Sequence, residues 1–428
     1  MTAIAGNATL ATLVRLWRGP AAWMTTVDVF AILLVLSLPW STSLVAIFAV
    51  VMLAAMVPYL DVEAFLRSLR RPIAWVPIAF FLLALVGTLW SDAPWGVRLY
   101  AVFPTAKLLV LPVLFYHFER SERGRAVFLA FLVSCTLLMA MSWIVAFDPH
   151  LALKSGPGAT PGIFVKNYID QSQEFALCAV ALTYPIITSW RAQKRRLALL
   201  LAAIALSFVV NMAFVTVSRT ALVTMPVTLA VFGLLHLTWR TNVVIFVAVS
   251  LAGLAAWAAS PQLQWKVTTF KRDYQLYMEQ GTSTSIGERL EYWRKSLRFF
   301  AEAPAIGHGT GSTRGLFQQA ATGPADLAAA KVIGNPHNQT LNVAVQWGLL
   351  GIIVLYAMWL LHLLLFRGEG LANWIGLLVV VQNIFTSLFN SHIFDFHEGW
   401  MYVLGVGVAA GMVLKQRLAG GVAGGMSS

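Results

Sequence analysis

Apolar runs dominate this chain. Twelve of them, near 26–40, 42–58, 73–90, 97–118, 124–147, 175–190, 197–216, 220–237, 243–260, 341–366, 371–390 and 397–414, account for most of its length. A bilayer core takes roughly 20 residues of helix, within about 17–25. No water-soluble fold hides so much apolar surface, because many side chains of any compact domain stay near water. Charged residues are 11% of the 428, against about 25% in soluble domains. The expected fold is an all-α polytopic membrane protein with about 12 transmembrane helices. A nucleic-acid enzyme, a secreted disulfide scaffold and a disordered chain are excluded. Cys135 and Cys178 lie in apolar runs without CxxC or metal spacing, and read as small buried hydrophobes.

The basic residues give the chain sides. The N-terminal stretch lacks a secretory apolar core and cleavage site, so the first span is expected to do the targeting. With that end inside, sixteen of the thirty Lys and Arg fall in inner segments, among them Arg67, Arg120, Arg125, Arg191, Lys194 and Arg195. The short outer connections at 41, 91–96 and 391–396 carry none. This asymmetry places both termini in the cytoplasm. Residues 1–260 read as a membrane domain with an outer loop at about 148–174, and 261–340 as a large outer catalytic loop. Residues 341–414 add three spans, and 415–428 form a flexible cytoplasmic tail.

Long outer segments escape the charge rule, so the nine basic residues of 261–340 need another cause. Within it, SIGERLEYWRKSLRFFAEAP reads as an amphipathic helix with Leu290, Trp293, Leu297 and Phe300 on one side. Its Arg289, Arg294, Lys295 and Arg298 suit anionic headgroups or a lipid-linked phosphate, whose oxygens match a guanidinium fork. The turn Ala305–Ser312 is glycine-rich but lacks a P-loop's context, and reads as a connector. His337 and Asn338 open the tenth span just after Pro336. A nearby positive helix end favours a neutral imidazole, the form a general base needs. Arg219, Arg98 and Lys107 sit at or inside spans, where charges are functional candidates. Lys166 and Gln171 of the 148–174 loop are candidate glycan or phosphate contacts, and Glu398 is a candidate to orient His337 or an arginine. The outer loops hold no DxD or ExD pair, HExxH or Walker loop. Arginines would then have to replace a metal in any phosphate chemistry.

Ser218-Arg219-Thr220, Arg289 with Trp293 ahead of Pro304 and the IGHGTG turn, and His337-Asn338 together resemble the bacterial O-antigen ligase family and its polymerase and O-linking oligosaccharyltransferase relatives. The ligase signature reads His, then Asn, Ser or Gln, nine residues, Gly, two residues, and Gly, Thr or Tyr. It is met from His337 and Asn338 to Gly348 and Gly351. The resemblance implies a GT-C-type helical fold in a Gram-negative inner membrane, with the active site on the periplasmic face. It also implies glycan transfer from undecaprenyl pyrophosphate to lipid A–core oligosaccharide without metal or other cofactor. Carried over by motif, His337 is the general base and Arg219 and Arg289 grip the pyrophosphate. Asn338, Arg98, Lys107, Lys166, Gln171, Arg294 and Glu398 are further substrate-binding candidates. A single displacement inverts the anomeric centre. A polymerase would use a second lipid-linked repeat as acceptor. A secondary transporter is the reading from another class, against which the chain shows no internal repeat.

Overall fold

The computed structural model describes residues 19–153, 162–165, 167–216 and 219–425. Among them the chain is helical, with one isolated bridge between Thr282 and Leu327. The helices are α1 (Pro20–Ser37), α2 (Thr42–Met56), α3 (Val62–Ser68), α4 (Pro72–Val86), α5 (Trp95–Ala106), α6 (Val110–Phe118) and α7 (Gly124–Phe147). They continue as α8 (Tyr168–Ala181), α9 (Thr183–Arg191), α10 (Arg195–Phe214), α11 (Arg219–His236), α12 (Trp239–Ala259) and α13 (Pro261–Gln280). The last five are α14 (Ser285–Glu302), α15 (Thr313–Gln319), α16 (Gln339–Leu365), α17 (Leu371–Thr386) and α18 (Phe396–Gly425).

Local chemistry sets many of these ends. Ser41 accepts from the Leu44 amide and starts α2, which separates the first two spans. Asn167 caps α8 through the Ile169 and Asp170 amides, Thr284 caps α14, and Asn338 caps α16 through the Leu341 amide. Each short side chain satisfies a first-turn N–H that a helix cannot satisfy itself. Pro20 and Pro72 occupy first-turn positions, where the missing N–H costs nothing.

Helix length and apolarity do not by themselves establish the expected twelve spans. Among the described residues, 7 helices are long and apolar enough to cross a membrane, or up to 8 if the pair α3–α4, bent by 87°, counts as one. The stretch expected at 175–190 is broken at Leu182 into α8 and α9, and α8 begins on buried polar residues from Gln171 to Glu174. The apolar stretches in α11 and α17 are shorter, Thr224–Leu235 and Leu371–Thr386. Hydropathy recognises an apolar window but not where one helix gives way to the next within it.

The core lies where α6 and α18 run side by side, flanked by α1, α4, α7, α16 and α17. A Cβ on Gly411 would meet the Phe118 backbone at 2.8 Å, so the two helices touch almost backbone to backbone. Small residues allow this in membranes, where packing replaces the hydrophobic effect as the attraction between helices.

Candidate active site

His337 stands just ahead of α16 with φ 53, a left-handed value rare for a side chain with a Cβ. Asn335 holds it there, its Oδ1 accepting from the His337 amide at 2.9 Å. The ring's Nδ1 lies 2.9 Å from Asn390 Oδ1. Asn390 is itself fixed, because its Nδ2 donates to Asp395 Oδ2 at 2.6 Å, which turns the amide oxygen toward the imidazole. In the neutral ring, an acceptor facing Nδ1 selects the tautomer with the proton on Nδ1 and the lone pair on Nε2. Among the described residues Nε2 has no hydrogen-bond partner, and the side chain is half-buried. Tyr292 of α14 stacks on the ring, centroids 6.1 Å apart and planes 30° apart. Burial and then the Glu288 carboxylate push the Tyr292 phenol up, so it stays a neutral hydroxyl.

That stack sets the inward face of α14. Its buried residues are Gly287, Glu291, Tyr292, Lys295, Ser296 and Phe299, whereas Leu297 is 56% exposed. The face expected from Leu290, Trp293, Leu297 and Phe300 is therefore rotated from the one that packs. Arg289 lies three residues before Tyr292, on the neighbouring turn of the same side of α14. Arg294 points the other way: it is exposed and grips Glu291 with both Nη2 (2.7 Å) and Nε (3.0 Å). Burial opposes the Glu291 charge, but Arg294 and the Tyr277 hydroxyl outweigh it and hold the carboxyl below its usual range.

Beyond Asn390 the polar chain continues inward. The loop between α17 and α18 brings His392 Nδ1 to 3.2 Å from Asp395 Oδ2 and 3.7 Å from Glu398 Oε1. Gln173 of α8 closes the far side, its amide nitrogen 3.3 Å from Glu398 Oε1 and 3.2 Å from His392 Nε2. Lys107 donates to the carbonyls of Phe394, at 3.3 Å, and Asp395. On the same helix pair, His397 meets Glu174 at 2.5 Å with both buried. Ser391 and Asn342 brace the other side: Ser391 donates to Asn335 Oδ1 at 2.7 Å and accepts from Asn342 at 3.0 Å.

His392, Asp395 and Glu398 offer three ligand atoms within 4.8 Å of one another, a donor set that suits a divalent metal. The His392 ring already pairs with both carboxylates. Burial opposes the charge on His392, yet Asp395 and Glu398 outweigh it and push its pKa up to about 9. The Lys107 ammonium supplies the second positive charge at the same loop.

A stability consequence follows from the raised His392 pKa. A group whose folded pKa lies above its unfolded value, here 6.5, contributes stability that is complete below 6.5 and lost as pH rises through about 9. Thermal unfolding in detergent should therefore show a falling melting temperature between pH 7 and 9.5. The His392→Gln variant should start lower and lose that slope; an unchanged slope would place the titration elsewhere.

The other candidates sort by position. The Arg98 guanidinium donates to the Thr88 carbonyl at 2.9 Å and to that of Ala93, and stacks 4.6 Å over Trp95, so it ties the 88–95 turn together. Gln171 is buried and donates to Ser142 Oγ and the Gly162 carbonyl. Asn338 is a helix cap. Glu398 touches His392 and Gln173 and reaches His337 only through Asp395 and Asn390. Arg219 opens α11, a helix that packs on α8 and α17; its side chain, Ser218 and Lys166 lie outside the described residues. Sequence reading missed Tyr292, Asn335, Asn390, Asp395, His392 and Gln173. The motif SHIFDFHEGW concentrates His and carboxylates in an otherwise apolar region, a signal that could have found His392 and Asp395.

The signature glycine and the glycine-rich turn form one joint. α16 breaks at Gly348 (φ 58, ψ −150), and the carbonyls freed there, Val345 and Gln346, accept from the His308 and Gly309 amides at 2.9 and 2.8 Å. Leu349 donates back to the Pro304 carbonyl at 2.8 Å. A Cβ on Gly309 would meet the Ser91 backbone at 2.6 Å. The turn is thus a connector, and His308 bonds the Phe299 carbonyl at 2.8 Å.

Residues 204–356 match the family model described as O-antigen ligase, a segment running from α10 through α14 and His337 to beyond Gly351. The chain is also 28% identical over 116 residues to an uncharacterized protein of Haemophilus influenzae, covering 26% of this chain and 29% of that protein. The match spans less than a third of that relative's length. Asn390, His392, Asp395 and Glu398 lie beyond the matched family segment. The family match falls on the residues that the His337–Gly351 signature singles out, and it supports membership of this chain in the O-antigen ligase and polymerase superfamily.

Proposed function

We propose that this protein transfers an O-antigen glycan from undecaprenyl pyrophosphate to a sugar hydroxyl of lipid A–core, at the periplasmic face of a Gram-negative inner membrane. The observation that carries this reading is the His337 imidazole, protonated on Nδ1 by its bond to Asn390 and open at Nε2. In the proposed step the acceptor hydroxyl gives its proton to Nε2 as its oxygen bonds the anomeric carbon. The bond from that carbon to the pyrophosphate oxygen breaks, and undecaprenyl pyrophosphate leaves as the anion. One displacement inverts the anomeric centre. A sugar hydroxyl is far too weak an acid to ionise at pH 7, so a placed base is the group the reaction needs. Arg289, on the Tyr292 face of α14, and Arg219, at the start of α11, are the proposed pyrophosphate ligands; fixed cations stabilise charge that develops on a leaving group. The step is proposed to need no metal, because the His392 ring already pairs with Asp395 and Glu398.

The test is reconstituted transfer with EDTA present. Purified protein receives undecaprenyl-pyrophosphate glycan labelled in the sugar, together with lipid A–core. Label on lipid A–core, with inverted linkage by NMR, is the expected result. Label gathered into longer lipid-linked chains would replace the ligase reading with a polymerase. Passage of intact donor across the vesicle without covalent product would favour the transporter. Activity lost in EDTA and restored by a divalent ion would overturn the metal-independent step.

A further inference from the structure

We propose that the apolar cavity within the bundle is a binding site for one anionic phospholipid, with an acyl chain inside it and the headgroup phosphate at Arg125. The cavity has a volume of about 260 Å³ and lies among α1, α7, α8, α10, α17 and α18. Leu38, Phe128, Leu177, Val379 and Leu404 are among its apolar walls, and Arg125 is its one charged lining residue among the described residues. Leu129, 60% exposed, stands at its side, so the space opens between helices toward the bilayer rather than toward water. A dry apolar space of this size forfeits dispersion contacts on every wall, and water finds no polar partners there. A hydrocarbon chain satisfies both conditions.

Charge selects the headgroup. Arg125 begins α7, and the turn joining α9 to α10, which contribute Pro185 and Leu201 to the same cavity, carries Arg191, Lys194, Arg195 and Arg196. Among the described residues Arg123, Arg125, Arg191 and Lys194 make no ion pair. The nearby Glu122 is taken by Lys415 at 2.5 Å. Clusters of cations beside a gap between membrane helices are the recognised setting for phosphate headgroups. The far end of the cavity shares Leu177, Val379 and Met401 with a water-sized space lined by Gln173, Gln382 and Glu398. A seated chain thus packs directly beneath the polar shelf that holds His392.

The experiment is native mass spectrometry of the full chain. Protein delipidated in neutral detergent is titrated with phosphatidylglycerol or phosphatidylcholine of the same acyl chains. The expected result is one tightly retained phosphatidylglycerol, preferred about fivefold over phosphatidylcholine, the effect of one cation at an anionic surface. Ala181→Trp, which fills the cavity, should abolish that retained lipid. Leu404→Phe, a milder filling, serves if the tryptophan variant does not fold. Arg125→Gln should keep the bound lipid and lose the headgroup preference. Equal binding of both lipids to the native protein would overturn the proposal, as would undiminished retention in a folded cavity-filled variant. Displacement of phosphatidylglycerol by an equal amount of a polyprenyl phosphate would assign the cavity to a prenyl chain instead.

Discussion

Replacing His337 with alanine should lower the rate of glycan transfer by about 10²–10⁴-fold, the span that a positioned general base contributes. The variant should still fold and still bind the donor, because none of the proposed pyrophosphate contacts passes through the imidazole. The backbone argues that this side chain is held for use. A left-handed conformation costs a residue with a Cβ about 1–2 kcal/mol, and Asn335 is spent on maintaining it. Strain of this kind persists where the surrounding structure over-determines it, as at reactive centres. Asn390→Ala should fall between the native and the alanine enzymes: the base remains, but nothing fixes which nitrogen carries the proton. Single-turnover rates at saturating donor separate these cases from weakened binding. A His337→Ala enzyme that transfers at the native rate would remove the imidazole from the mechanism.

The second large effect is expected from Gly348→Val. At φ 58 and ψ −150 the backbone is in a region essentially confined to glycine. A Cβ there would meet the Ala305 carbonyl carbon at 2.5 Å and the Gly307 nitrogen at 2.7 Å. Either α16 straightens and reclaims the Val345 and Gln346 carbonyls, or the turn at 305–312 moves away. Both outcomes break the bonds that tie the loop to the bundle. Backbone strain plus lost buried hydrogen bonds amounts to about 3 kcal/mol or more. Thermal unfolding should show a drop of several degrees or no folded protein, with transfer lost in parallel. Gly315→Ala is the matched control. It lies in α15 with nothing within 4 Å of its added methyl, and alanine favours helix by about 1 kcal/mol. A Gly348→Val protein as stable as that control would show that the joint carries no strain.

These predictions rest on residues of two kinds. His337, Asn338, Gly348 and Gly351 are local features, and the order of residues along the chain is enough to find them: a proline before a polar pair, a cap, a break, a close contact with the next turn. The apolar runs likewise declare a membrane protein, since only hydrocarbon tolerates so many of them. Three things needed the folded molecule. The inward face of α14 follows Tyr292 and Phe299 rather than the apolar stripe, and leaves Leu297 exposed. The break at Leu182 hides inside an apolar window. The network from His337 through Asn390, Asp395 and His392 to Gln173 joins residues as far as 219 positions apart. Hydrophobic periodicity records contrast between a buried side and a watery one, and a bilayer removes that contrast. Which polar side chains meet is then decided by how the helices pack, and the cost of leaving any buried polar group without a partner makes that packing selective.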